Sequence, residues 1–328
     1  MNKDFVGIDF GSQNTLIYSS SAQEVVYNEP TCLAIDAFNH KVLETGFLAS
    51  KIQGKTPYNY QVVYPVIDGL VDDIDLAVEY LSLVLAKFRL DRSFKGIGLV
   101  FSAPSKCSKV NRSALVEIGK RLQAKEIYLE SQVKLAAIGA GENVYAPTAT
   151  LVCNLGQGIT DIGCLSMGEL VSSETTSIAG KAMDEAIRRY LIQEKHLAVG
   201  KKTSEYVKMR IGTLSPLSDS QLVEVKGRDT ITSLPSSTVI SSSEIRQCLL
   251  PLASFIALKI TDVISSLPPD LASDLVHNGL ILTGGSALLG GLRDYLQNTL
   301  SIPVRIADEP SNAVIKGMAG FINKLSTR

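Results

Sequence analysis

Residues 5–18 read FVGIDFGSQNTLIY, and residues 150–165 read TLVCNLGQGITDIGCL. Shifting the first stretch by 145 positions lays Asp9 on Asn154, Gly11 on Gly156 and Thr15 on Thr160, with β-type apolar residues on both flanks. Each stretch has the form strand, small glycine-containing turn, strand. An element that recurs about half a chain length later predicts two related lobes. Two unrelated hairpins would match at three positions as well, so the rest of the chain has to decide.

The flanking pattern is α/β. Residues 72–89 (DDIDLAVEYLSLVLAKFR) carry apolar residues at helical spacing behind a run of acids suited to a helix start. Residues 95–105 (KGIGLVFSAPS) predict a buried strand ending in a proline turn. A helix over 108–122, a short strand at 126–130 and a helix from Gln132 follow. Residues 180–195 and 203–212 also predict helices. The Ser/Thr-rich stretch 213–240 predicts a small β-rich subdomain, and 279–296 reads as strand, glycine-rich turn, helix.

Composition narrows the function. A chain of 328 residues is long for one core and sufficient for two lobes. With 45% hydrophobic and 20% charged residues it is a folded, globular chain. A formal net charge of −1 offers no electrostatic footprint for nucleic acid. Cysteines stand at 32, 107, 153, 164 and 248 with no C-x-x-C pair, and three histidines are too few for a histidine-rich metal site. Such dispersed cysteines suit free thiols in a reducing compartment. The first residues lack a signal-peptide layout, and no apolar run reaches the roughly 18–20 residues of a spanning helix. The expectation is a cytoplasmic protein, with peripheral membrane contact left open.

Three elements carry candidate chemistry. In the first hairpin, Gly11, Ser12, Gln13, Asn14 and Thr15 form a turn whose N–H groups can point at phosphate oxygens. Asp9, at the end of the preceding strand, can hold the water shell of Mg²⁺, which needs only one or two acids beside the phosphates. Alone, this also reads as an ordinary hairpin turn. The second hairpin repeats the offer through Gly156, Gln157 and Gly158, after Asn154. In the third element a strand runs through Thr283 into Gly284, Gly285 and Ser286 before a helix, which brings backbone close to a ligand. Glu205 and Lys208, three apart on a predicted helix, share one face. They could contact a ribose or base, and a solvated ion pair fits the same spacing.

These elements stand in the order seen in the actin, sugar kinase and heat-shock chaperone superfamily, where the two hairpins are phosphate loops and the GG turn is the adenosine motif. Further stretches resemble the MreB family: YNEPT (27–31), GKTPYN (54–59), YPVIDGLVDD (64–73), AIGAG (137–141), IAGKAMDEAI (178–187), EVKGRDTITSLP (224–235), LTGGSALLGGL (282–292) and IPVRIADEP (302–310). The resemblance runs over nearly the whole chain. It implies an α/β, actin-like fold of two duplicated ribonuclease-H-like lobes, four subdomains around a nucleotide cleft. Subdomain IA would comprise 1–31 and 66–140, IB 32–65, IIA 141–179 with 246–328, and IIB 180–245. It implies ATP and Mg²⁺ as cofactors, with Asp9 and position 154 at the metal. It also implies self-assembly into protofilaments that pair antiparallel on the inner face of the cell membrane, control of cell shape, and paralogues of the family as further partners.

The sequence departs from the family where hydrolysis would occur. The family's second phosphate loop usually reads D-x-G-G-G-T-T; here it holds Asn154, Gln157 and Ile159. The family's water-positioning Glu falls on Gln132, and Glu130 lies two residues away. Gln132 can orient water through hydrogen bonds but is a poor general base. The expected protein binds Mg-nucleotide and is at most a weak ATPase, either a filament former in its own right or a partner of active paralogues. For membrane contact the candidates are Leu90 and Phe94, flanked by Arg89, Arg92 and Lys95. The same basic residues suit a helix C-terminus. A sugar-kinase-like phosphotransferase is the weaker rival, because no substrate-site Asp stands out. A chaperone ATPase would need a peptide-binding domain in addition.

Overall fold

The computed structural model describes residues 4–54, 59–88, 97–216 and 221–326. The chain divides into two compact units, Met1–Tyr145 with Ser311–Arg328, and Ala146–Pro310.

In the first unit a five-stranded sheet has the order Glu126–Ser131, Gly98–Ala103, Phe5–Phe10, Asn14–Ser19, Glu24–Pro30. The first three strands are parallel, and the last two continue as an antiparallel meander. Gly98–Ala103 is buried at every position, as a parallel strand covered on both faces requires. The helix Ile74–Lys87 starts where Asp73 accepts a hydrogen bond from Leu76 N. Its stripe of Ala77, Tyr80, Leu81, Val84 and Leu85 is buried in the unit's core. A smaller sheet of Leu33–Asp36, Val42–Thr45 and Tyr60–Val63 lies beside the helix Gly46–Ile52.

Two helices of this unit meet backbone to backbone. A Cβ on Gly139, in Gln132–Gly139, would stand 1.8 Å from Ala313 O, and one on Gly317, in Ala313–Ser326, would stand 1.7 Å from Leu135 O. Only glycine fits at either place. This crossing packs the helix Ala313–Ser326 within the first unit.

The second unit repeats the sheet. Its strands run Glu169–Thr176, Thr160–Ser166, Thr150–Leu155, Leu280–Thr283, Val304–Ile306: again a three-stranded antiparallel meander followed by two parallel additions. The lobe duplication expected from two hairpins therefore extends to whole sheets. Residues 222–241 form the β-hairpin Leu222–Asp229 and Pro235–Ser241, as the composition of 213–240 suggested. The 24-residue helix Ser242–Ser265 was not anticipated. Its sequence signal is a capping box, in which the Ser241 side chain accepts from Glu244 N and the Glu244 side chain accepts from Ser241 N. By length and composition it could cross a membrane; its stripe Ile245, Leu249, Ala253, Ile256, Ile260 and Val263 packs instead in the core of the second unit.

Candidate nucleotide site

In the first unit the parallel strands Phe5–Phe10, Gly98–Ala103 and Glu126–Ser131 end on one edge, the edge where open α/β sheets bind ligands. Asp9 stands there. Ser102 Oγ donates to Asp9 Oδ1 at 2.6 Å. Burial pushes the Asp9 carboxyl up to about 6, against the Ser102 hydrogen bond, which lowers it. Among the described residues no cation pairs with it. A buried carboxylate without a countercharge suits a cation brought in by a ligand. Among the described residues no group of three or more His, Cys, Asp or Glu could hold a metal unaided. Hydrated Mg²⁺, which takes most of its ligands from water and phosphate, fits that donor set.

The adjoining turn is closed by Gly11 N donating to Asn14 O at 3.2 Å, and a Cβ on Gly11 would stand 2.9 Å from the same oxygen. Its edges are held: Gly69 N donates to Ser12 Oγ at 2.7 Å, Thr31 N to Gln13 O at 2.9 Å, and Asn14 Nδ2 to Asn28 Oδ1 at 2.9 Å. Thr15 Oγ1 lies 2.8 Å from Thr31 Oγ1. The Ser12 N–H has no partner among the described residues and remains available to an anion.

Gln132 opens the helix Gln132–Gly139 and is buried, and its amide has no hydrogen-bond partner among the described residues. Glu130 is committed locally. Its Oε1 accepts from Ser131 N at 2.9 Å, and its Oε2 lies 3.1 Å from Lys134 Nζ. Of the two hydrolysis candidates, the one with a free polar group is the amide.

In the second unit the same turn recurs. Gly156 N donates to Ile159 O at 2.9 Å, and a Cβ on Gly156 would stand 3.0 Å from that oxygen. Asn154 pairs with Thr283 across the parallel strands, and Thr283 Oγ1 donates to its Oδ1 at 3.1 Å. The N–H groups of Gln157 and Gly158 have no partner among the described residues. Gly284, at φ +82°, lies so close to the hairpin that a Cβ would stand 2.2 Å from Leu155 O. Ser286 Oγ then donates to Gly156 O at 3.0 Å, tying the GG turn to the hairpin, with Gly285 between the two contacts. These glycines let the GG turn lie against the hairpin backbone.

Lys208 and Glu205 lie on the helix Lys201–Ile211. Lys208 Nζ lies 2.9 Å from Asp184 Oδ1 and donates to Gly180 O at 3.2 Å, so its charge is already compensated. Burial raises the Glu205 pKa, as does the Asp184 charge, while Lys208 and Lys202 lower it. Sequence reasoning did not single out Ser102 or Asp184, and it named Thr283 only as the strand residue before the GG turn. Asp184 sat within the quoted IAGKAMDEAI stretch; Ser102 and Thr283 acquire meaning only through the strand register. Leu90 and Phe94 lie outside the described residues.

Comparison with known proteins places this geometry. The profile of the MreB/Mbl protein family matches residues 3–328. The cell shape-determining protein Mbl of Bacillus cereus is 35% identical over 95% of this chain and 93% of its own length. MreB of Escherichia coli is 31% identical over 95% of this chain and 91% of its own. MreB 5 of Spiroplasma citri, solved bound to AMPPNP, superposes with a TM-score of 0.95 at 32% identity, covering 100% of this chain and 98% of that one. Its ADP-bound form gives 0.94. The filament protein MamK shares the fold, with a TM-score of 0.82 at 17% identity over 98% of this chain and 99% of its own. The chain belongs to the MreB/Mbl family of actin-like, cell shape-determining proteins.

Proposed function

We propose that this chain binds ATP and polymerises into filaments that control cell shape from the inner face of the cell membrane, and that it hydrolyses ATP slowly. The observation that carries the reading is the same turn built twice. Gly11 to Asn14 and Gly156 to Ile159 close alike, each beside strand ends of its own unit; among the described residues the first leaves the Ser12 N–H, and the second those of Gln157 and Gly158, without a partner. The solved relative bound to AMPPNP supports it. Ser12 of the first turn, Gln157 and Gly158 of the second, and Gly285 beside Ser286 would meet phosphate or nucleoside through backbone. Asp9 would hold the hydrated Mg²⁺, which supplies positive charge at the phosphates, and Ser102 would keep the carboxylate in place. Gln132 would orient water without accepting its proton. Asn154, neutral and engaged by Thr283, contributes no second negative charge at the metal.

Sedimentation with Mg-ATP, with phosphate release followed in the same tubes, tests the reading. Pelleting with little phosphate is the expected result. Pelleting with release as brisk as that of an active relative would overturn slow hydrolysis. The second reading, a catalytically weak paralogue that assembles only with active chains, is favoured by Asn154 and Gln132 together. It predicts no pellet alone and a pellet when mixed with an active paralogue. Membrane attachment through Leu90 and Phe94 predicts that a double Leu90→Ser, Phe94→Ser variant stops floating with anionic liposomes; unchanged flotation excludes the loop as anchor.

A further inference from the structure

The tip of the second hairpin is fastened through a side chain to a buried carboxylate, where the equivalent Ser12 of the first takes a backbone N–H from Gly69. Gln157 Nε2 donates to Asp184 Oδ2 at 2.7 Å. Asp184 is buried in the helix Gly180–Lys195, and its other oxygen, Oδ1, lies 2.9 Å from Lys208 Nζ. That contact is an ion pair, and among the described residues no further donor reaches Oδ1. Lys208 also donates to Gly180 O. A buried carboxylate held by one ammonium at one oxygen and one amide at the other depends on both.

The surroundings are shaped to admit the amide. A Cβ on Gly180 would stand 2.3 Å from Gln157 Oε1 and 2.7 Å from Ser286 Oγ, so a side chain there would push the glutamine out. Gly180 N donates to Gly156 O at 3.1 Å, and Lys181 N to Gln157 O at 2.7 Å. Ser286 Oγ takes the other side of Gly156 O. Both tip carbonyls are thus held, while among the described residues the N–H groups of Gln157 and Gly158 have no partner.

We infer that Gln157 is a positioning residue: its side chain latches the second phosphate hairpin to the Asp184–Lys208 pair, holding the free N–H groups in place before a nucleotide arrives and slowing its departure. The inference rests on the nucleotide-binding reading. It assigns the side chain of Gln157 to the protein and only its backbone to the ligand. It also assigns Lys208 to the latch before any contact with a nucleoside.

Two variants test it. Gln157→Met keeps the length and removes the donor; Gln157→Gly removes the side chain. Two quantities are read: hydrogen exchange of amides 156–160 without nucleotide, and association and dissociation of a fluorescent ATP analogue with Mg²⁺. The latch predicts exchange and dissociation each faster by about tenfold in both variants, the scale of one hydrogen bond to a charged group, with association unchanged. On an Asp184→Ala background, which removes the acceptor together with the Lys208 pair, Gln157→Met should add little to exchange or dissociation, because its contact is already gone. Unchanged exchange and dissociation in Gln157→Met and Gln157→Gly would overturn the latch. A parent protein that takes no nucleotide would overturn the binding reading, and the exchange measurement would still decide the latch.

Discussion

The two hairpins share a backbone and differ in what their side chains do. Gly11 and Gly156 close the same turn at 3.2 and 2.9 Å, and at both a Cβ would press on the oxygen that accepts. The first hairpin follows a buried carboxylate, Asp9, held by Ser102. The second follows an amide, Asn154, held by Thr283, and carries Gln157 fastened to Asp184. A duplicated turn of this kind keeps its glycines, because a Cβ at either would press on the oxygen that closes it. It is free to divide charge and rigidity between its copies. Here the first copy keeps the charge and the second is tied to the helices behind it.

The largest effect should come from removing the charge. Asp9→Ala should weaken Mg-dependent nucleotide binding by on the order of 100-fold, since an imported cation would lose its buried counter-charge. Asn154→Ala should change affinity by less than about threefold, the scale of one neutral hydrogen bond. Titration calorimetry with Mg-ATP, with and without the metal, measures both. Equal losses at the two positions would break the comparison, because Asn154 would then act at the metal as Asp9 does.

Placing acids at positions 154 and 132 should produce a gain. Asn154→Asp together with Gln132→Glu should raise phosphate release by about 30-fold, somewhat below the roughly 10²–10⁴ of a fully optimised general base. Gln132 is buried with its amide uncommitted, so a carboxylate there needs no existing contact broken. A double variant as slow as its parent would show that the barrier lies elsewhere, with Gln157 and its latch the next place to test.

What the sequence revealed follows from how far apart the cooperating residues lie. The glycine turns are local, so four or five consecutive residues announced them and their recurrence announced the lobes. The helix Ile74–Lys87 was equally legible, because its apolar stripe and its Asp73 cap are both local. The helix Ser242–Ser265 was obscured by the Ser/Thr-rich stretch before it, although Ser241 and Glu244 spell its start. The place of residues 311–328 was not legible, because Gly317 matters only against Leu135 and Gly139 only against Ala313, contacts between distant parts of the chain. Ser102 and Asp184 stayed hidden for the same reason. Each is unremarkable until a strand register or a helix face brings Asp9 or Gln157 to it.

Acidity separates the hairpins next. The Asp9 carboxyl, pushed up to about 6 by burial against the Ser102 bond, is mostly ionised at pH 7 and mostly protonated at pH 5. Mg-dependent affinity should fall about tenfold over that interval, following the ionised fraction. Stability without nucleotide should move the other way. The raised pKa favours the folded state below the unfolded value near 4, and that advantage is lost as pH rises through about 6. Asp9→Asn should flatten both profiles, whereas Asn154→Ala should leave both as in the parent.

The smallest effect probes what stands behind the second hairpin. The helix Gly180–Lys195 anchors the hairpin tip at its start, and near its far end Lys195 Nζ lies 2.6 Å from Glu244 Oε1 while Tyr190 Oη donates to the same oxygen at 2.7 Å. Desolvation pulls the Glu244 carboxyl up, but Lys195, Ser241 and Tyr190 outweigh it and hold it at about 2. A depressed carboxylate stabilises the fold above its unfolded value near 4.5, and that contribution is lost as pH falls toward about 2. The side chain is still partly open to water, so screening reduces what the shift implies, and Glu244→Gln should cost below about 1 kcal/mol at pH 7. Urea unfolding at pH 7 and pH 3 should show the gap between variant and parent narrowing at the lower pH. Exchange at amides 156–160 separates two origins of the hairpin's rigidity. Unchanged protection in Glu244→Gln would confine the anchor to the first turn of the helix, around Gly180, Lys181 and Asp184. Loosened protection would mean that the whole helix, fixed at both ends, serves as the rigid backing of the second hairpin.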